Sequence, residues 1–139
     1  FLGIGIGIQK NVLNNLISPD ISLNINKDAL TIILTNLISN SNRFSKNGEI
    51  SIRYQLAESC HLISVSDTGI GMDIQLMEHI NQRNLQITNR NSITHKSYGI
   101  GYNLIFKMLE VLNADLVVFR NQPFGTVVQI SIPTTPNVG

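Results

Sequence analysis

The chain has 139 residues, a length that suits one domain with a hydrophobic core. Hydrophobic residues make up 42% of it and charged residues 14%, which excludes a disordered segment. The net charge of +1 gives no electrostatic basis for binding nucleic acid or an anionic membrane surface. The single cysteine, Cys60, excludes an internal disulfide and fits a reducing compartment. We interpret it as a small core residue rather than a catalytic thiol.

The chain divides into a short opening, a main domain and a tail. Residues 1–19 are predicted to be a linker or the end of an upstream domain. Their apolar start is too short to span a bilayer, and a chain that begins without Met is expected to be part of a longer protein. Within the opening, residues 9–17 suit a short helix that Ser18-Pro19 would end. Residues 20–133 form the predicted domain, and 134–139 the tail.

Hydrophobic periodicity predicts alternating helices and strands in the main domain. Asn26 is expected to cap a long helix, in which apolar residues recur at helical spacing. Asp73 is expected to cap a short one ending near His79. Residues 81–98 are polar and lack periodicity, so they are predicted to form a loop that serves as a lid or binding loop. The predicted strands are 21–25, 49–56, 60–66, 116–119 and 127–132, and the predicted long helices are 27–44 and 100–112.

A carboxylate followed by two glycines ends the third predicted strand, at Asp67-Thr68-Gly69-Ile70-Gly71-Met72. The carboxylate can accept a hydrogen bond from an amine such as the adenine N6 group. The glycines lack a Cβ, so a flat ring or a phosphate can approach the backbone closely. A plain turn is the alternative interpretation of these six residues.

Polar residues also lie along one face of the long predicted helix. Asn36 and Asn40 are one turn apart, and Arg43 follows on the next turn. Amide oxygens suit a Mg²⁺ ion that already carries phosphates, and arginine can clamp a phosphate. A solvated helix face is the alternative. A second pair, Gly99 and Gly101, stands directly before the last predicted helix, where free N–H groups can bind phosphate.

Four segments, taken together and in this order, resemble the sequence boxes of the GHKL ATPase and kinase superfamily. Residues 36–44 resemble its N-box, 67–72 its first glycine box and 98–104 its second, and 124–126 its closing Gly-Thr. The resemblance covers residues 20–133 and is strongest to the ATP-binding catalytic domain of sensor histidine kinases.

The resemblance implies an α/β architecture, the Bergerat fold. This is a two-layer α/β sandwich in which a mixed, mostly antiparallel sheet is backed by three helices, and ATP lies beneath a lid. It implies that Asp67 contacts adenine, that Asn40 holds Mg²⁺ with Asn36 nearby, and that Arg43 binds phosphate. These three polar residues of the helix are the implied catalytic residues. The remaining implied nucleotide-binding residues are Gly69, Gly71, Met72, Tyr98, Gly99, Gly101, Leu104 and Thr126.

Several positions depart from the family pattern. Ser97 replaces the first glycine of the second glycine box, Tyr98 and Tyr102 replace smaller or aliphatic residues, and the Phe-containing box of the lid is absent from 73–96. Family members that hydrolyse ATP carry Glu where this chain has Asn36. None of the three histidines, His61, His79 and His95, has the sequence setting of a phosphoacceptor.

The resemblance therefore implies a histidine kinase that passes the ATP γ-phosphoryl group to a His on a separate dimerisation domain, with a response regulator downstream. It implies no nucleic acid partner, no direct membrane contact and a cytoplasmic location, and leaves open a membrane-anchored bacterial sensor. A degenerate nucleotide-binding regulatory module and an ATPase clamp are the alternatives.

Overall fold

A computed structural model describes residues 11–19, 23–85 and 99–134. The described strands are β1 (Val12–Asn15), β2 (Glu49–Leu56), β3 (Cys60–Asp67), β4 (Asp115–Arg120) and β5 (Thr126–Pro133). They pair in the order β1-β2-β3-β5-β4; β1 runs parallel to β2, and all other neighbours are antiparallel. The described helices are α1 (Lys27–Phe44), α2 (Ile74–Leu85) and α3 (Gly99–Leu112).

Helix α1 begins and ends where its local sequence predicts. The Asn26 side chain accepts a hydrogen bond from the Ala29 amide (3.0 Å), which satisfies one of the free N–H groups of the first turn. Arg43 lies in the last turn, where its charge complements the helix dipole. The residues buried on one face of this helix are Ala29, Ile33, Leu34, Leu37, Ile38 and Ser41.

The sheet buries one face against the helices. In β2 and β3, Ile52 lies opposite Val65, and Asp67 lies opposite Ile50 at the end of the pair. Strand residues alternate in direction, so the apolar positions of the four antiparallel strands point to the same side. The buried residues of that side are Ile50, Ile52, Ile63, Val65, Leu116, Val118, Val128, Ile130 and Ile132. The predicted two-layer sandwich is confirmed.

The prediction of a helix over 9–17 is wrong where the structure describes it, because residues 12–15 form β1 and add a parallel edge strand beside β2. The Asn11 side chain fixes this strand: its Nδ2 donates to the Asn42 and Ser45 carbonyls (3.2 and 2.9 Å), and its Oδ1 accepts from the Gly48 amide (2.9 Å). These partners are 31 to 37 residues away in sequence, so no local pattern announces them. The domain boundary at residue 20 stays a prediction.

Two further expectations require correction. Residues 23–25 are not a strand, and 21–22 lie outside the described residues. Residues 81–85 belong to α2 rather than to a loop. The reason is Asn81, which donates to the Val118 carbonyl (3.0 Å) and accepts from the Val118 amide (2.8 Å), so the helix is held against β4 beyond the predicted end near His79. The rest of the predicted lid, 86–98, lies outside the described residues.

Cys60 opens β3 and is half-buried, so it borders the core rather than lying in it. Strand β5 extends one residue beyond its predicted end, to Pro133, and residues 135–139 lie outside the described part. Among the described residues, no helix combines the length and apolar character needed to cross a membrane.

Candidate nucleotide-binding site

A cavity of about 230 Å³ lies between α1, α3 and the end of β3. Its walls are mostly apolar, with a few polar groups among them, as is typical of small-molecule sites. Five residues predicted from the sequence line it: Asn40, Asp67, Gly71, Met72 and Thr126.

Asp67 is the polar group that the fold positions most firmly in this cavity. It is the last residue of β3 and is 5% exposed. Its Oδ1 accepts hydrogen bonds from the backbone amides of Gly69 (3.0 Å) and Thr126 (3.2 Å). The second oxygen, Oδ2, takes part in neither of these two bonds. The two amides therefore orient the carboxylate before any ligand arrives, and bonds of this kind to a charged oxygen are strong.

The loop between β4 and β5 holds the backbone of Asp67. Asn121 donates from Nδ2 to the Asp67 carbonyl oxygen at 2.7 Å, and its own amide donates to the Gly125 carbonyl at 3.0 Å. Gly125 has φ +107°, and a Cβ at this position would overlap the Asp67 carbonyl. Only glycine fits there, both for conformation and for space.

The turn after Asp67 packs against the end of α1. The Ile70 amide donates to the Phe44 carbonyl (3.3 Å), and a Cβ on Gly69 would overlap the same carbonyl. Gly71 has φ +85°, a conformation that favours glycine. The close approach allowed by Gly69 is thus to the helix backbone. The sequence predicts the need for glycine here, but the group expected to approach it is a ligand.

The polar residues of α1 are divided between the cavity and the helix itself. Asn40 lines the cavity, and its Oδ1 accepts from the Arg43 guanidinium at 2.5 Å. The guanidinium also lies 5.4 Å from the centre of the Phe44 ring. The Asn36 side chain donates to the Ile32 carbonyl of its own helix at 2.8 Å and does not line the cavity.

The remaining predicted residues lie in several places. Arg43 and Gly69 line a shallow groove next to the cavity, together with Lys46. Gly99 and Gly101 lie in the first turn of α3, inside the helix rather than directly before it as predicted. Leu104 lies on α3 but does not line the cavity. Tyr98 lies outside the described residues.

Tyr102 and Asn121 are among the residues of the site that were not assigned to it from the sequence. Tyr102 lines the same cavity as Asp67. Burial and, as a smaller cause, the charge of Asp67 raise the pKa of the Tyr102 phenol above the usual value. The sequence marks Tyr102 as an unusual residue but gives it no role. Asn121 follows β4 in a polar turn, and nothing in its neighbourhood indicates a partner 54 residues away.

A divalent cation here would depend on few protein ligands. Across the described ranges, no group of three or more His, Cys, Asp or Glu side chains could hold a metal ion. Mg²⁺ takes one or two protein ligands when phosphates supply the rest, and the amide oxygen of Asn40 fits that requirement. Arg43 would have to release this oxygen first.

Comparison with known proteins agrees with this geometry. The sequence profile of the histidine kinase-, DNA gyrase B- and HSP90-like ATPase family matches residues 25–136. The chain belongs to this family. One relative, the autoinducer 2 sensor kinase/phosphatase LuxQ of Vibrio vulnificus, is 31% identical to this chain over 127 residues. The match covers 87% of this chain and 15% of LuxQ.

The sensor histidine kinase YclK of Bacillus subtilis is 26% identical over 128 residues, which cover 91% of this chain and 27% of YclK. The chain thus spans a minor part of the length of both relatives.

Solved structures of histidine kinases share the fold. The catalytic domain of histidine kinase ThkA superimposes with a TM-score of 0.70 at 20% identity, covering 91% of this chain and 80% of that one. The mycobacterial sensor histidine kinase MprB gives a TM-score of 0.67 at 18% identity, covering 91% and 84%. The architecture of this ATPase-family member is therefore that of a histidine kinase catalytic domain.

Proposed function

We propose that this chain is the ATP-binding catalytic domain of a two-component sensor histidine kinase. Its reaction would transfer the ATP γ-phosphoryl group to a histidine on a separate dimerisation domain, in the same chain or a partner. The observation that carries the proposal is the Asp67 carboxylate, buried in the cavity and oriented by the Gly69 and Thr126 amides. Such a fixed acceptor suits the exocyclic amine of adenine.

The residues of the chain would act by binding and orienting ATP. Asp67 would accept from the adenine amine, and Met72 and Thr126 would enclose the base. Asn40 would contribute an oxygen to Mg²⁺, and Arg43, once released from Asn40, would bind phosphate. The bound Mg²⁺ would neutralise charge that develops on the phosphates, so positioning and electrostatics supply most of the catalysis. Gly99 and Gly101 would bring backbone N–H groups of α3 to the phosphates.

A kinase is favoured over an ATPase because Asn36 stands at the helix position where family members that hydrolyse ATP carry Glu. Asn36 occupies the relevant helix position, is bonded to its own helix, and cannot accept a proton. The described histidines lie elsewhere: His61 Nδ1 is 2.8 Å from the Tyr54 hydroxyl, and His79 lies on the exposed side of α2. The acceptor imidazole would therefore come from another domain.

The proposed setting follows from this chemistry. The dimerisation domain would pass its phosphoryl group to a response regulator in the cytoplasm, where ATP is present. The net charge of +1 supports neither nucleic acid nor a membrane surface as a direct partner of this domain.

Phosphotransfer to a supplied histidine tests the proposal. The chain should bind ATP with Mg²⁺, hydrolyse it very slowly and not label itself. Mixed with the dimerisation domain of its own protein, it should form an acid-labile phosphoramidate on that histidine, and the same domain with the histidine replaced should stay unlabelled. Rapid hydrolysis by the chain alone would instead indicate an ATPase clamp. ATP binding without transfer would indicate a regulatory module.

A further inference from the structure

Tyr102 forms a buried wall of the candidate nucleotide cavity. It lies near the start of α3, is 4% exposed and lines the cavity together with Asp67. Its ring packs against Phe106, with ring centres 6.2 Å apart and ring planes at 44°. Phe106 is itself 3% exposed. Because protein interiors are close-packed, the buried Phe106 ring restricts the Tyr102 ring from turning away from the cavity.

Tyr102 and the Asp67 carboxylate line the same cavity. The charge of Asp67 acts on the Tyr102 phenol, in addition to burial, in raising its pKa. Because both side chains line this cavity, a ligand that reaches Asp67 there also lies in the space bounded by Tyr102. The cavity of about 230 Å³ is also small, since pockets for drug-sized ligands measure about 300–1,000 Å³. A base whose amine binds Asp67 would share this small cavity with the Tyr102 ring.

The geometry points to Tyr102 as a specificity-determining residue that limits the size of the base at its exocyclic amine. The site would take adenine nucleotides with an unsubstituted N6 amine and reject those that carry a bulky N6 group. This inference rests on the proposed function, because it assumes that Asp67 binds the adenine amine. It adds a size limit that depends on the volume of one side chain and not on its hydroxyl group.

Binding of ATP and N6-benzyl-ATP to the whole chain tests the inference. The wild-type chain should bind ATP and bind N6-benzyl-ATP at least about tenfold more weakly, since poor fit in an apolar pocket costs about 10- to 200-fold. Tyr102→Ala should bind N6-benzyl-ATP at least about tenfold more tightly than the wild type does. Tyr102→Val keeps more of the wall and disturbs the core less, so its affinity for N6-benzyl-ATP should also rise, but by a smaller factor.

Two control variants separate the effect of the Tyr102 side-chain volume from other effects on nucleotide binding. Tyr102→Phe keeps the ring and loses the hydroxyl, so it should reject N6-benzyl-ATP as the wild type does. Tyr54→Ala removes a half-buried tyrosine of β2 that does not line the cavity, and it should leave the ratio of the two affinities unchanged. A gain of binding cannot result from general loss of structure.

The outcomes distinguish the size limit from the function it rests on. A wild-type chain that binds no ATP would overturn the proposed function. A wild-type chain that binds both nucleotides equally would leave ATP binding intact and overturn the size limit. Folded Tyr102→Val or Tyr102→Ala that binds ATP without any gain for N6-benzyl-ATP would overturn it as well.

Discussion

Replacing Asp67 with Asn changes a single group at the cavity wall. In the wild type, Oδ1 accepts from the Gly69 and Thr126 amides, and these two donors require an acceptor. They should therefore hold the oxygen of the new amide at the Oδ1 position and place its NH₂ at the Oδ2 position. The group presented to the adenine amine then changes from an acceptor to a donor, and the hydrogen bond is lost.

The size of the effect follows from the kind of bond. A hydrogen bond to a charged group contributes about 1.5–3 kcal/mol, so the Kd for ATP should rise about 10- to 150-fold. The free energy of unfolding should change little, because both backbone bonds to Oδ1 are kept. A neutral amide also costs less to bury than a carboxylate that is 5% exposed.

Calorimetric titration with ATP and with inosine triphosphate measures this effect. Inosine carries an oxygen acceptor in place of the amine, so Asp67→Asn should bind it better relative to ATP than the wild type does. Asp73→Asn is the matched control. Asp73 also lines the cavity, but its Oδ1 accepts a hydrogen bond from the Gln75 amide at the start of α2. Asp73→Asn should leave the ratio of the affinities for ATP and inosine triphosphate unchanged. A folded Asp67→Asn variant with wild-type affinity for ATP would refute the assignment of Asp67.

Two further variants test the metal ligand and the packing around Asp67. Asn40→Ala should remove most of the Mg²⁺ dependence of ATP binding and leave adenosine binding nearly intact, as titrations with and without Mg²⁺ would show; an equal loss of adenosine would make Asn40 a structural residue. Gly125→Ala should lower the free energy of unfolding, measured in denaturant, by at least about 1–3 kcal/mol, because its Cβ would overlap the Asp67 carbonyl at φ +107°. Gly48→Ala should cost less, since its Cβ meets the Thr68 side chain, which can rotate; an equal loss would contradict this reasoning.

Local signals in the sequence were sufficient for much of the fold. The Asn26 cap and the apolar repeat of α1 act over three or four residues, so the helix bounds could be predicted from those residues alone. The position of Asp67 at the end of β3 also followed from the alternation of its strand.

The tertiary structure alone decided what surrounds these elements. Strand β1 has no strand pattern of its own and exists because it pairs with β2 and because Asn11 bonds to the end of α1. The carboxylate of Asp67 is oriented by Thr126, 59 residues away, and its backbone is held by Asn121. Sequence periodicity reports which face of an element is buried, but not which distant backbone group it will meet. The geometry of the site is set by such distant hydrogen bonds, and they form only when the sheet assembles.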